Sequence, residues 1–409
     1  MKIKLLSLSI FVLILIQGCK KETMQPNHVP KAFKLPAMSA GVISKSNKFG
    51  IDLFTKTAKV DDGNLMLSPL SASGALTMLL NGSENNTYNQ IHQMLGYEGL
   101  SQIQVNEVYK SLVSQLLSAD SQVKLAIANA VWYKKEFIVK PTFLEVMNND
   151  FSAHVEGLDF SLSSALTTMN NWARDNTYGK IPKVLDEISP DAVMFLMNAL
   201  YFKGVWTYQF DKTKTQSEVF HKGDGSDKQV DMMHITLNTN VYLTDDFKAL
   251  ELSYGRTNFS MVIILPNESL NRFFESFDEN EWNSLSNQFD AISNLPEWEV
   301  SLPKFKFSYE KSLKDQLISF GMSDAFDPEL SDLSGISDID LYVDFVKQNT
   351  FIEVNEEGTE AAAVTTIGLN TTSVGDSKEF VVNKPFVFAI RERTTNTLLF
   401  IGKVVDPSL

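Results

Sequence analysis

The stretch "VNEEGTEAAAVTTIGLNTTSVGDSKEF", Val354 to Phe380, begins as a helix former, with glutamates and three consecutive alanines, and then turns to threonine, valine, isoleucine and glycine. Neither Lys nor Arg occurs from Gln348 to Ser377. Taken as a strand from Thr359, one face carries Thr359, Ala361, Ala363, Thr365, Ile367 and Leu369, and the other Glu360, Ala362, Val364, Thr366 and Gly368. The first face is small or apolar throughout, so it can enter a sheet without steric or electrostatic penalty. Composition alone leaves a second reading open, an exposed loop or frayed helix, because Glu-Ala-Ala-Ala favours helix and Thr-Thr-Ser-Val-Gly favours loop.

The rest of the chain supplies the body into which such a strand could go. With 409 residues, 44% of them hydrophobic and 28 of them Phe, it can build an extensive core. No Pro-, Gly- or Ser-rich linker interrupts it after residue 45, so one large domain is expected over 45–409. A formal net charge of -14 argues against nucleic acid as a partner, since phosphate binding needs a clustered cationic surface.

At the amino terminus "MKIK" is basic, "LLSLSIFVLILI" is apolar, and "QGC" ends on Cys19, the only cysteine. This is the layout of an export signal over residues 1–18, and the run is short for a membrane span. It resembles a bacterial lipoprotein signal, which makes Cys19 the lipid attachment point and residues 19–44 a flexible tether to a bacterial cell envelope, periplasmic or surface-exposed. An ordinary signal peptide with a chance cysteine is the alternative. Without Cys19 no disulfide is available, so the core alone must hold the fold.

Helices precede strands along the chain. Phe49, Leu53, Phe54 and Ala58 recur at helical spacing, "NLMLSPLSASGALTMLLNGS" reads as a short strand into Pro69 followed by a helix entered through Ser71, and Thr87 with Gln90 has capping-box spacing. Further on, "AVMFLMNALYFKGVW" suits a strand buried on both faces, and hairpins are expected to turn at Gly255 to Asn258 and Thr394 to Asn396. "YEKSLKDQLISFGM" reads as a helix burying Leu313, Leu317 and Ile318. The order implies an α+β protein with large sheets.

Catalytic signatures are absent: the chain has no GxSxG elbow, HExxH pair, phosphate-binding glycine loop or CxxC pair. Its histidines, His28, His92, His154, His221 and His234, lack metal-ligand spacing. Glu356 and Glu357 are adjacent, and in a strand they point apart instead of converging on a substrate. The expectation is a protein that is not an enzyme and holds no metal or cofactor. Thr87 also completes a sequon at Asn85, for which its capping role is the preferred reading.

"FIEVNEEGTEAAAVT" is similar to the hinge of the serpins, the serine protease inhibitor fold. In the family's order, the chain also carries "LSPLSASGALTMLLNGSENNTYNQI", "NNWARDNTYGKI", "MNALYFKGVW", "VSLPKFKF", "DLSGIS", and finally "NKPFVFAIRE" with "LLFIGKVVDP". The resemblance implies a fold of three β-sheets, eight or nine helices and an exposed reactive-centre loop, here about 356–379. It assigns a hinge to Gly358, Thr359, Glu360, Ala361, Ala362 and Ala363, and a sheet-opening region to Ser68, Asn198, Gln348 and Trp206. Gln348, where many animal members have histidine, could bridge Ser68 and Asn198 through its amide.

Counting from the hinge glycine puts the reactive bond between Thr372 and Ser373; Leu369 and Val374 are alternative positions. The absence of Lys, Arg and aromatic residues from this window disfavours trypsin-like and chymotrypsin-like targets and favours elastase-like or subtilisin-like serine proteases. The resemblance therefore implies a monomeric suicide-substrate inhibitor forming a covalent complex with its target protease. The alternative is a non-inhibitory member of the same fold, kept for binding or scaffolding on the cell envelope.

Overall fold

Phe49, Leu53, Phe54 and Ala58 do fall on one buried side of a helix, α1 (Ser39–Ala58). The computed structural model describes residues 29–291, 295–360 and 378–408. Its first part is helical: after α1 come β1 (Leu65–Leu67), α2 (Pro69–Leu80), α3 (Asn85–Met94) and α4 (Gln102–Leu116). The middle alternates, with β2 (Val123–Lys134), α5 (Pro141–Phe151), β3 (His154–Leu158), α6 (Ser163–Asn176) and β4 (Met194–Val205). Strands then dominate: β5 (Gln216–His221), β6 (Asp227–Asn238), β7 (Val241–Leu243), β8 (Phe247–Tyr254) and β9 (Phe259–Pro266), followed by α7 (Leu270–Ser276) and α8 (Glu279–Ala291). The last part holds β10 (Glu297–Pro303), β11 (Phe305–Ser312), α9 (Lys314–Ser319), β12 (Lys347–Asn355), β13 (Gly358–Thr359), β14 (Lys378–Val381), β15 (Phe386–Glu392) and β16 (Thr397–Val404).

The strands form three sheets among the described residues, as expected of an α+β chain. A six-stranded buried sheet has the order β1-β16-β15-β9-β8-β7, a small sheet β14-β10-β6-β5, and a six-stranded hinge sheet β11-β12-β13-β4-β2-β3. Both expected hairpins are present in the buried sheet, β8 with β9 and β15 with β16. Alternation divides its side chains between two cores: Val387 and Ala389 pack with α1 and α2, whereas Phe386, Phe388 and Ile390 pack toward the other sheets. One sheet thus feeds both cores.

Several local expectations need correction. Pro69 is the first helical residue of α2 and not the end of a strand; Ser68 caps the helix by accepting a hydrogen bond from the Ser71 amide at 3.2 Å. Thr87 lies inside α3 and makes no capping box: its hydroxyl accepts from the Asp332 amide at 2.9 Å, and Gln90 accepts from the amides of Ser323 and Asp324. The capping box belongs to α4, between Ser101 and Gln104. β4 is only half-buried along its first part, and α9 is a single short helix that buries Leu317, with Leu313 buried just before it, while Ile318 is exposed.

The expected tether ends sooner than residue 45. α1 begins at Ser39, and residues 30–36 run as a strap across the body. The Lys31 amide donates to Asn258 Oδ1 at 2.8 Å while Asn258 Nδ2 donates to the Lys31 carbonyl at 2.9 Å. Gln115 holds the backbone of Lys34 in the same two-way manner, at 2.7 and 2.6 Å. Phe33 packs against the core between these clips and Leu35 just after the second. The proposed signal and Cys19 lie outside the described residues, and no described helix is long and apolar enough to cross a membrane.

Arg391 on β15 is fully buried and joins the buried sheet to α8. Its guanidinium donates to Glu251 Oε1 at 2.8 Å and to Asp290 Oδ1 at 2.9 Å. Burial opposes the Glu251 charge, but the Arg391 and Arg393 guanidiniums outweigh it and hold the carboxyl below its ordinary range. Arg391→Met leaves Glu251 buried without its main counter-charge and is expected to lower stability by about 3–5 kcal/mol in urea unfolding at neutral pH. A carboxyl with a depressed folded pKa stabilises above its unfolded value, so this deficit should shrink as pH falls through the depressed pKa.

Candidate functional site: the hinge and the parted sheet

β12 ends at Asn355, the chain turns through Glu356 and Glu357, and β13 runs back between β12 and β4. Gly358 pairs with Asn355 on one side and Val205 on the other; Thr359 pairs with Val354 and Gly204. The turn follows from Asn355, whose side-chain oxygen accepts from the amides of Glu357 and Gly358 at 3.0 and 3.3 Å. Gly358 has φ +150°, and a Cβ there would stand 2.0 Å from the Gly204 carbonyl oxygen and 2.8 Å from Val205 Cα. Only glycine fits this close backbone approach.

Thr359 is 3% exposed, and its hydroxyl meets the Tyr254 hydroxyl at 2.5 Å. Tyr254 stacks on Trp206 with ring centres 4.4 Å apart, and Trp206 Nε1 donates to the Asn355 carbonyl at 2.9 Å. The backbone amides of Trp206 and Phe210 donate to the carbonyls of Glu357 and Glu356. The two glutamates diverge, as adjacency predicts: Glu357 pairs with Lys212, while Glu356 Oε1 accepts from Thr215 at 2.7 Å and lies 3.4 Å from Lys304 Nζ. Burial works against the Glu356 charge, but the Thr215 bond and Lys304 prevail and hold its pKa below the ordinary value. Both carboxylates therefore anchor the turn.

Below the wedge, a cavity of about 500 Å³ separates β4 from β12, with Leu79, Leu185, Phe195 and Leu341 in its lining. Asn198 and Gln348 also line it, on opposite strands. Gln348 Nε2 donates to the Ser68 carbonyl at 2.8 Å, and its Oε1 accepts from the Ser68 amide at 3.1 Å. The expected bridge to Asn198 is not made: Asn198 Nδ2 donates to Asn129 Oδ1 at 2.6 Å, and Asn198 Oδ1 is buried with no partner among the described residues. At this level β12 and β4 stand apart with the cavity between them. Gln348 thus ties β12 to the start of α2, and the gap leaves Asn198 with β2.

The structure places Trp206 beside the hinge and joins Ser68 to Gln348 at the bottom of the gap. Ala361, Ala362, Ala363, Leu369, Thr372, Ser373 and Val374 lie outside the described residues. Of the expected loop 356–379, the two ends are seated: residues 356–360 in the hinge sheet region, and Lys378 and Glu379 in β14, paired in parallel with β10. Tyr254, Lys180, Lys212 and Lys304 were not singled out from the sequence. Lys304, between Pro303 and Phe305 in "VSLPKFKF", is a charge in apolar surroundings and was the available signal, whereas Lys180 lies in the mostly polar "NNWARDNTYGKI" and gave none.

Gly358→Ala should drive β13 out from between β12 and β4, because the methyl group has nowhere to go. Amide hydrogen exchange checks this: Trp206 and Glu360, whose amides donate to Glu357 and Glu353, should lose protection while β9 and β15 keep theirs.

A family model described as Serpin (serine protease inhibitor) matches residues 44–407. An uncharacterized serpin-like protein of Methanosarcina acetivorans is 33% identical over 381 residues, covering 90% of this chain and 88% of that one. The leukocyte elastase inhibitor of Xenopus tropicalis is 33% identical over 382 residues, with 89% of this chain and 99% of that one covered. Among solved structures, the thermophilic serpin tengpin in its native state superposes with a TM-score of 0.82 at 31% identity, covering 92% of this chain and 97% of that chain. With the sheet order, the wedge of Gly358 and Thr359 and these matches in agreement, the chain belongs to the serpin family.

Proposed function

We propose that this protein is a suicide-substrate inhibitor of serine proteases of the elastase-like or subtilisin-like kind, displayed on a cell envelope through a lipid on Cys19. The observation that carries the reading is β13: two hinge residues already occupy the slot between β12 and β4, above a cavity between the same two strands. Among the described residues, β13 covers only Gly204 and Val205 of the β4 edge. The residues that follow Glu360 are Ala361, Ala362 and Ala363, which are small enough to extend the strand.

In this mechanism the protease's serine attacks the carbonyl of the bond between Thr372 and Ser373, with Leu369 and Val374 as alternative cleavage positions. The new amine leaves and an acyl enzyme forms. Cleavage frees the hinge from its tether to β14, and the segment after Glu360 joins β13 as a full strand, carrying the acylated protease with it. Distortion of the protease's oxyanion hole then stops deacylation.

A strand of about twelve residues adds roughly ten hydrogen bonds at about 1 kcal/mol net each, and buried side chains add several kcal/mol more. The total, on the order of 10–20 kcal/mol, is comparable to the stability of a typical domain at about 5–15 kcal/mol. It is sufficient to deform a bound protease.

Mixing the domain without residues 1–19 with elastase-like and subtilisin-like proteases should give a band at the summed mass that survives a denaturing gel, and the released fragment's mass locates the bond. Clean cleavage without that band by active proteases throughout the panel would sink the reading. Thr359→Arg places a cation where the wild-type side chain is buried against Tyr254, so the variant should be cleaved as a substrate, with at least about a tenfold loss of complex for each 1.4 kcal/mol added to insertion.

A further inference from the structure

Glu360 is where β13 stops and the chain leaves the hinge sheet. Its φ of +56° is a left-handed conformation that a non-glycine residue adopts only when its surroundings compel it. Those surroundings are polar and specific. The Glu360 amide donates to the Glu353 carbonyl at 2.8 Å, which continues the β12–β13 pairing by one residue. Its carboxylate, with the side chain only 9% exposed, lies 2.9 Å from Lys180 Nζ. Tyr201 on β4 faces the same carboxylate; burial first, and the Glu360 charge second, raise the phenol's pKa and keep it protonated.

Lys180 reaches this point from the turn after α6. Tyr178 and Gly179 both have positive φ, +52° and +83°, and this reversal directs the chain toward the sheet. There the ammonium lies 3.7 Å from Glu353 as well as 2.9 Å from Glu360, and 4.9 Å from the centre of the Phe351 ring. Lys180 thus stands between the carboxylate at the exit of β13 and a carboxylate of β12 that Lys306 also pairs, at 3.2 Å. Two negative charges that would repel across the hairpin are held together instead.

We propose that Lys180 is a positioning residue that clamps Glu360 against Glu353 and so keeps the hinge half-entered before any protease arrives. β13 is then the first step of the trapping strand, formed in advance, and the turn after α6 reports on it directly. The clamp stands on the geometry; its consequence for inhibition rests on the trapping function proposed above.

Hydrogen exchange on the full chain tests the clamp without any protease. Lys180→Met should speed exchange of the segment 351–360 by about fivefold, the size expected for a partly exposed ion pair, while β9 and β15 are unchanged. The double exchange Lys180→Glu with Glu360→Lys should recover part of the protection. Wild-type exchange in Lys180→Met would overturn the clamp whether or not the protein traps proteases.

Its role in trapping is read separately, from the number of inhibitor molecules consumed per protease blocked. Lys180→Met should raise that number about fivefold with the rate of loop cleavage unaltered. Faster exchange with unaltered consumption would refute the positioning role. If the wild type itself forms no covalent complex, the trapping function fails and the exchange result still decides the clamp.

Discussion

The structure turns on the contact between Gly358 and the backbone of Gly204 and Val205. A side chain of any size at residue 358 would collide with a carbonyl oxygen and a Cα atom, so glycine alone lets the chain reverse after β12 and enter beside β4. From that approach the neighbouring arrangements follow. Thr359 is brought under Tyr254, Tyr254 is supported by Trp206, and Trp206 in turn bonds the carbonyl of Asn355 from which the reversal starts. Glu356 and Glu357 hold the turn by ion pairs to Lys304 and Lys212, which come from two further segments.

The rigid and the parted portions of the molecule differ in how closely they are packed. In the buried sheet, β9, β15 and β16 are buried along their whole length, and even the buried Arg391 is bonded to both Glu251 and Asp290. That sheet also supplies apolar side chains to both cores, so it can serve as a fixed frame. In the hinge sheet, by contrast, β12 and β4 flank a cavity, and Asn198 keeps a buried oxygen without a partner among the described residues. A cavity and an unsatisfied acceptor both raise the free energy of a folded state. Here the two occur together between β12 and β4, where an added strand would fill the space.

The strap of residues 30–36 joins the frame to this region. Asn258, which clips Lys31, belongs to the turn between β8 and β9, and in that turn the Gly255 amide donates to the carbonyl of Val205. The segment leading into the body is therefore seated one hydrogen bond away from the strand end that receives Gly358. Its sequence, with two lysines between two prolines, reads as solvated linker because the groups that hold it are side-chain amides far along the chain.

The residues themselves carried the periodicities and turns: the helical spacing of α1, the two hairpins and the small-residue face from Thr359, while Gly358 was marked only by the resemblance. Those are local properties, set by backbone sterics and by the alternation of side chains on a strand or helix. Capping at Thr87 and the reach of Gln348 to Asn198 were misread because a hydroxyl or amide bonds whatever the fold brings nearest, and tertiary packing brought Asp332 to the one and Ser68 alone to the other. The depth of hinge entry, the choice of Tyr254 and Lys180 as its partners, and the cavity below it were likewise decided only in three dimensions. Each depends on residues about a hundred or more positions apart, whose encounter is fixed by how the sheets pack and not by any local preference along the chain.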